Sequence, residues 1–376
     1  MKKALFLVLL LLMFPLLGCT TEATNPHEDL CSILDGKDAW LCSKTYTSYF
    51  DTTVSLSFYV RDGETVDIEG LYTAVEGMME SLHQLFDKYH AYDGVVNVYS
   101  INHREESTIT ISQTLYDAIS FGLEHEGEVT SDGVAMFNIA LSPVLDVWHD
   151  ARESSDCIQE GFYDVCPVPR TSIDGISFPV DPSQILLDSE QQTISSLEEG
   201  MSIDLGGYAK GYASEIITDY LDQQGITYLF NAGNSNVKAG GLNPRNEEGL
   251  FYIALTRPSI PITSTSYFAY LKVPGSMSVV TSGNYQRYFL GADDSLVYHH
   301  IIDPRTNYPG GEAMSVTLFF EDGALADLYS TAVYLLSVEE GLAVVNQKEG
   351  MEAIWYLSDG SVIESDHAAQ YVSEYL

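Results

Sequence analysis

The chain has 376 residues, with 54 Asp and Glu against 17 Lys and Arg, and a formal net charge of −37. That balance excludes nucleic acid as a partner, because no basic face is available to offset phosphates. It also means that an anionic ligand must be held by a local device such as backbone amides, a lone lysine or a metal ion.

Met1-Lys2-Lys3 is a basic start, and Ala4–Leu17 is an apolar run too short and wrongly flanked for a permanent membrane span. It ends in Leu-Leu-Gly-Cys at 16–19, which resembles a bacterial lipoprotein signal. Residues 1–18 would then be cleaved and Cys19 lipidated, and two or more acyl chains anchor a protein stably to a membrane. A plain secretory signal with an incidental cysteine is the alternative. On this reading residues 19–45 are the lipidated N-terminus and tether, and residues 46–376 are the folded domain. Cys31, Cys42, Cys157 and Cys166 allow three pairings, of which Cys31–Cys42 with Cys157–Cys166 is the simplest. Export permits both bonds. No pair has C-x-x-C spacing, so zinc or thioredoxin-like chemistry has little support.

Tyr46–Val60 alternates as a first strand, and Leu71–Tyr89 has the apolar spacing of an amphipathic helix. A second helix is expected over Ser112–Glu126. Ala151–Pro182, with both later cysteines and four prolines, reads as an elaborated surface loop. Strand material around a Ser-Glu-Gln turn spans Ile185–Ile203. The stretch Met201–Gly211, MSIDLGGYAKG, joins the end of a strand at Ser202–Leu205 to a helix over about Tyr208–Gln224 through Gly206 and Gly207. Further strands are expected within Thr227–Gly241, at Phe251–Thr256, Tyr267–Val273, Ser276–Phe289, around Tyr298 and at Met314–Phe320. A single helix is expected over Gly323–Gln347, followed by a hairpin, Glu352–Leu357 with Val362–Glu364. Helices and strands mix without strict βαβ alternation, so the fold class is α+β with mixed, largely antiparallel sheets and packed helices.

Several patterns carry chemistry. In MSIDLGGYAKG an acid (Asp204), two glycines, a helix N-terminus and a cation (Lys210) fall within seven residues, a combination that can receive phosphate. The spacing is neither of the usual phosphate-loop signatures, and an ordinary strand–turn–helix corner has the same sequence. Asp327 and Thr331 are four apart and share one face of a turn, a hard-oxygen pair suited to Mg²⁺; a dipole-favouring acid with a packed threonine is the plainer alternative. His299 and His300 are the one histidine pair. In a strand their rings face opposite ways, so one enters a site, near Asp303, as base, shuttle or donor. Thr281-Ser282-Gly283 can present amides and hydroxyls, and Phe50, Tyr89, Tyr92 and Phe137 can stack a flat ring or belong to the core.

Taken in order, these pieces resemble the bacterial flavin transferase family, also called ApbE lipoproteins. The segments are Phe50-Asp-Thr-Thr-Val-Ser; Asp93 through Ile101-Asn102; Asp132-Gly133 with Phe137-Asn138 and Pro143 to Trp148; Ile203-Asp-Leu-Gly-Gly-Tyr-Ala-Lys-Gly-Tyr; Asn231-Ala-Gly; Thr281-Ser-Gly-Asn-Tyr; His300-Ile-Ile-Asp-Pro-Arg-Thr; and Ala326-Asp327 through Ser330-Thr331. The resemblance implies a flavin-binding cleft between two subdomains. It implies FAD as substrate and Mg²⁺ as cofactor, with the FMN half passing to a threonine of an acceptor flavoprotein while AMP leaves. It further implies that Asp204 and Lys210 contact FAD. Phe50, Tyr92, Met136, Phe137, Asn138 and Ile302 line the flavin or adenine pockets, with Thr281 also at the site. Gly207, Asp327, Ser330 and Thr331 hold Mg²⁺, and His300 matches the proposed catalytic histidine, with Asp303 placed to orient it. Asp51, Asn234 and Asn307 stand where the family commonly has glycine; Asn tolerates left-handed backbone better than most residues, so the two Asn turns are expected to survive. An FAD pyrophosphatase and a lipoprotein that only binds flavin are the competing functions.

Overall fold

The computed structural model describes residues 30–196, 198–262 and 265–376. The expected signal and Cys19 lie outside these residues. The architecture is α+β and largely antiparallel, as the unalternated mixture of patterns implied. A nine-stranded sheet runs in the order Cys31–Ile33, Ala39–Tyr49, Thr52–Arg61, Thr227–Ala232, Asn236–Gly240, Ser278–Gly283, Ser315–Phe320, Glu352–Tyr356 and Val362–Glu364, every neighbour antiparallel. The chain thus enters the sheet at Cys31, ahead of residue 46, where the folded domain was expected to begin.

Both faces of this sheet are covered. Val54, Leu56, Phe58 and Val60 alternate into the main core with the helices Ile68–Phe86, Ala209–Gln223 and Gly323–Tyr334. Tyr59, Val237, Val279 and Phe319 face a second core beneath the three-stranded sheet of Phe251–Thr256, Tyr267–Val273 and Val372–Tyr375. A third core gathers Leu141, Val144, Trp148, Phe289, Tyr298 and Ile302 beside a four-stranded sheet of Val297–His299, Tyr288–Gly291, Tyr163–Cys166 and Ile158–Glu160. Its Tyr163–Cys166 and Tyr288–Gly291 strands pair in parallel. Cys31 is bonded to Cys42 and Cys157 to Cys166, the simplest of the three pairings.

Four expectations change. Tyr46–Val60 is not one strand: the chain reverses at Phe50-Asp51, with Tyr49 paired to Thr52. Both turn residues are left-handed, φ 54° and 52°, the geometry of a two-residue hairpin loop that matches strand twist. Neither is Gly or Asn, so the residue pair does not read as a hairpin turn, and the one hint was Asp51 at a position where the resembled family commonly has glycine. The late helix is two, Gly323–Tyr334 and Val338–Gln347, because Ser337 and Glu340 form a capping box that starts the second. Ser202–Leu205 is not a strand; Asn102 substitutes for a neighbouring strand, its amide donating to the Ile203 carbonyl (2.9 Å) and accepting from the Ile203 N–H (2.8 Å). The 151–182 segment is more ordered than a surface loop, with two short strands and one helical turn, Arg170–Ile173.

Candidate active site

One cavity of about 450 Å³ lies between the main core and the Trp148 core. Its wall includes Phe50, Met136, Phe137, Asn138, Asp204, Gly207, Lys210, Thr281, His300, Ile302, Asp327 and Thr331, twelve of the expected site residues drawn from across the chain. The glycine corner and the late helix meet there. The Thr331 hydroxyl donates to the Gly207 carbonyl at 3.0 Å, and the Gly211 N–H donates to Asp327 Oδ2 at 2.8 Å. A Cβ on Gly211 would lie 2.3 Å from the Gly323 carbonyl oxygen and 2.6 Å from Asp327 Cβ, so glycine is what lets the two helices touch. One turn further on, Glu215 accepts from the Gly323 N–H at 2.7 Å and pairs with buried Lys238 at 2.9 Å. The Ala209–Gln223 helix therefore grips the other helix at its N-terminus and at Asp327.

Asp327 is 4% exposed. Burial raises its pKa, opposed by Lys210, the Gly211 N–H and the Asn236 amide. Among the described residues no cation makes a contact ion pair with it. The Asn236 side chain, 3.4 Å away through Nδ2, leaves its Oδ1 buried without a partner. A buried carboxylate lacking a counter-ion, beside an orphaned acceptor, a hydroxyl and a carbonyl, fits a hard divalent cation. Among the described residues no three His, Cys, Asp or Glu side chains cluster as a metal cage. The fit is to an ion that keeps positions for substrate oxygens and water. Ser330 is fully buried outside the cavity wall; its hydroxyl bonds Ser282 Oγ (2.8 Å) and the Asp327 carbonyl (2.9 Å).

The strand ends at His299, so His300 lies just beyond it, and both histidines line the cavity rather than one alone. The His299 ring is buried, edge-on to Tyr334, and burial lowers its pKa to about 4 against the bond with Gly310. His300 is exposed on the cavity wall. The protein around the cavity, with Arg287, His299, Lys210 and Arg152 near the ring, shifts its pKa downward. Its ring is neutral at pH 7 and able to accept a proton. The pairing with Asp303 is not present. Asp303 turns away and is held by the Arg305 guanidinium at 2.7–3.1 Å and the Arg305 N–H at 2.8 Å, while Arg305 reaches the Leu335 carbonyl. A carboxylate two residues from an arginine at the end of a strand finds the stronger, bidentate partner.

Tyr92 stands behind the wall, its hydroxyl donating to Asp87 Oδ2 at 2.7 Å and its ring near His83. His83 also accepts from the Phe50 N–H at 3.2 Å, which holds the strained turn. Asn138 caps the turn that follows it and donates to the Val180 carbonyl at 2.8 Å. Thr281 shares a hydroxyl contact with Thr317 at 2.9 Å. Asp51, Asn234 and Asn307 all have φ between 52° and 62°. The positions where glycine was expected are left-handed, and these short polar side chains accept the conformation.

Sequence reasoning missed Lys88. Its side chain is 6% exposed, and its Nζ lies 2.7 Å from Asp204 Oδ2, 2.8 Å from Asp146 Oδ1 and 3.1 Å from Ser142 Oγ. Burial raises the Asp204 pKa, but Lys88 and the Gly206 N–H (2.6 Å) outweigh it and hold the carboxyl below its usual range. The available signal was scarcity: 17 basic residues serve the chain, and Lys88, Arg152, Lys210 and Arg287 line this cavity. In a protein of charge −37 these four cations share the wall with four carboxylates, Asp51, Asp87, Asp204 and Asp327, and Lys88 is already paired with one of them.

The family model described as the ApbE family matches residues 50–355. A Klebsiella pneumoniae (strain 342) protein named FAD:protein FMN transferase is 29% identical over 302 residues, covering 78% of this chain and 87% of that one. A Vibrio cholerae serotype O1 protein of the same name is 26% identical, covering 77% and 80%. A crystal structure of the ApbE protein of Thermotoga maritima superposes with a TM-score of 0.72 at 22% identity, covering 89% of this chain and all of that one. The apo flavinyl transferase ApbE of Pseudomonas stutzeri gives 0.70 at 20% identity, covering 91% and 100%. With a matching segment that takes in the hairpin turn, the glycine corner, the His300 strand and the Asp327 helix, this chain belongs to the ApbE family.

Proposed function

We propose that this protein is a Mg²⁺-dependent FAD:protein FMN transferase that moves the FMN half of FAD to a threonine hydroxyl of an acceptor flavoprotein and releases AMP. The observation that carries the reading is the contact of Gly207 with Thr331 and of Gly211 with Asp327 on one cavity wall, beside cations. Asp327, Thr331 and the Gly207 carbonyl, with the Ser330 carbonyl next to them, would hold Mg²⁺, which when bound neutralises the pyrophosphate and the leaving AMP. Lys210 adds positive charge on the same wall. Phe50, Phe137 and Ile302 supply apolar surface for the rings. His300, neutral at pH 7, takes the proton of the incoming threonine. The threonine oxygen forms its bond to the FMN phosphorus as the bond from that phosphorus to the bridging oxygen breaks, and AMP carries that oxygen away. Asp303 has no part in this step, since Arg305 holds it elsewhere.

Export and anchoring through lipid on Cys19 complete the proposal. The two disulfides suit an oxidising compartment. Among the described residues no helix is long and apolar enough to cross a membrane.

The test incubates the protein with FAD, Mg²⁺ and an acceptor protein carrying a threonine-containing flavinylation motif. Flavin fluorescence on the denatured acceptor band, with one AMP per flavin attached, is the expected result. AMP and free FMN without labelling would assign a pyrophosphatase instead. Bound FAD left intact would assign a flavin-binding protein, and either outcome rejects the transferase.

A further inference from the structure

We propose that Lys88 is a positioning residue whose charge cancels Asp204, so that the glycine corner admits the doubly anionic pyrophosphate of FAD; the inference rests on the FAD reading above. Asp204 sits on the cavity wall three residues before Gly207, and no other Lys or Arg among the described residues pairs with it. Its Oδ1 accepts from the Gly206 N–H at 2.6 Å and its own N–H donates to the Ile139 carbonyl at 2.8 Å, so the carboxylate cannot swing to solvent without breaking the corner. Left uncancelled it would present a fixed negative charge, in a low-dielectric pocket, to an anionic ligand.

Lys88 meets that need from behind. It follows the Ile68–Phe86 helix by two residues, its ammonium is almost fully enclosed, and it bridges Asp204 to Asp146 and Ser142. Asp146, 46% exposed, keeps its own contact with water, so the buried half of the bridge is the one with Asp204. The Tyr89 ring beside the ammonium, 5.2 Å from its centroid, stacks on His149 and closes the bridge from the cavity mouth. Lys88 reaches no cavity ligand through its Nζ, because its three donors are already directed at Asp204, Asp146 and Ser142. Its effect on binding therefore runs through Asp204.

The experiment titrates FAD with Mg²⁺ into the full protein, as wild type, Lys88→Arg, Lys88→Met, Asp204→Asn, and Lys88→Met combined with Asp204→Asn, each checked by thermal melting. Expected is an FAD affinity at least tenfold weaker for Lys88→Met than for wild type, while Lys88→Arg stays within threefold. In the Asp204→Asn background, where there is no charge to cancel, adding Lys88→Met changes affinity less than threefold, whatever Asp204→Asn itself does to binding. A packing role for Lys88 would cost the same in both backgrounds. Lys88→Met binding FAD as wild type does overturns the proposal, and so does a loss of tenfold or more on adding Lys88→Met to Asp204→Asn. Should Lys88→Met alone fail to fold, the double variant against Asp204→Asn decides by the same threshold. Wild-type protein that binds no FAD defeats the FAD reading itself, an outcome distinct from either result.

Discussion

Gly211→Ala tests whether the contact between the two helices sets the metal site. The new Cβ would lie 2.3 Å from the Gly323 carbonyl oxygen, and ordinary contact begins near 3.4 Å, so the helices must part by about 1 Å. Overpacking of this kind costs about 1–3 kcal/mol. Alanine recovers about 1 kcal/mol over glycine inside a helix, leaving a net loss of about 0–2 kcal/mol. Stability should therefore change little. Catalysis should not be so tolerant, because the shift moves Asp327 away from Gly207 and stretches the 2.8 Å bond from the Gly211 N–H. A misplacement of about 1 Å can cost about 10²-fold in rate. The assay pairs differential scanning calorimetry with the initial rate of FMN transfer at saturating FAD. A melting point within a few degrees of wild type and a rate reduced at least tenfold are expected. A rate within twofold of wild type would show that the helix contact does not govern the site.

Asp327→Ala should remove Mg²⁺-dependent turnover while the circular dichroism spectrum stays that of wild type; unchanged product formation rejects the metal assignment. His299 titrates near 4 in the fold and near 6.5 unfolded, so the unfolded chain binds more protons between those values. Its contribution is full above pH 6.5 and is lost as pH falls towards 4, about 3 kcal/mol in all. His299→Gln should flatten the denaturation free energy between pH 7 and 4.5, and an unaltered slope contradicts the burial argument. Replacing Cys157 and Cys166 together by serine should lower stability by about 2–3 kcal/mol, from the short loop the bond closes. Equal urea midpoints for variant and wild type would show that the staple does not constrain the unfolded chain.

The sequence by itself determined what depends on neighbours along the chain. Period and turn residues located most helices and strands, the short cysteine spacings matched the bonds that form, and ordered segments resembled one family from Phe50 onwards. Asn234 and Asn307 were legible as left-handed because the tendency belongs to the residue. The hairpin at Phe50-Asp51 was not, since its strained backbone is held from outside, by His83 from another element. The start of the second late helix was legible in Ser337 and Glu340 but was overridden by a continuous apolar pattern.

Only the tertiary structure decided which charges meet. His300 and Asp303 are three residues apart yet do not touch, because Arg305 offers Asp303 a bidentate bond and the local chain direction turns it aside. Lys88 and Asp204 are 116 positions apart and lie 2.7 Å from each other. Gly211 reaches the Asp327 carboxylate across the same span of chain because it carries no Cβ to hold the two helices apart. Secondary structure is written in short-range sterics, whereas ion pairing and metal coordination depend on distances of a few ångströms that only packing fixes.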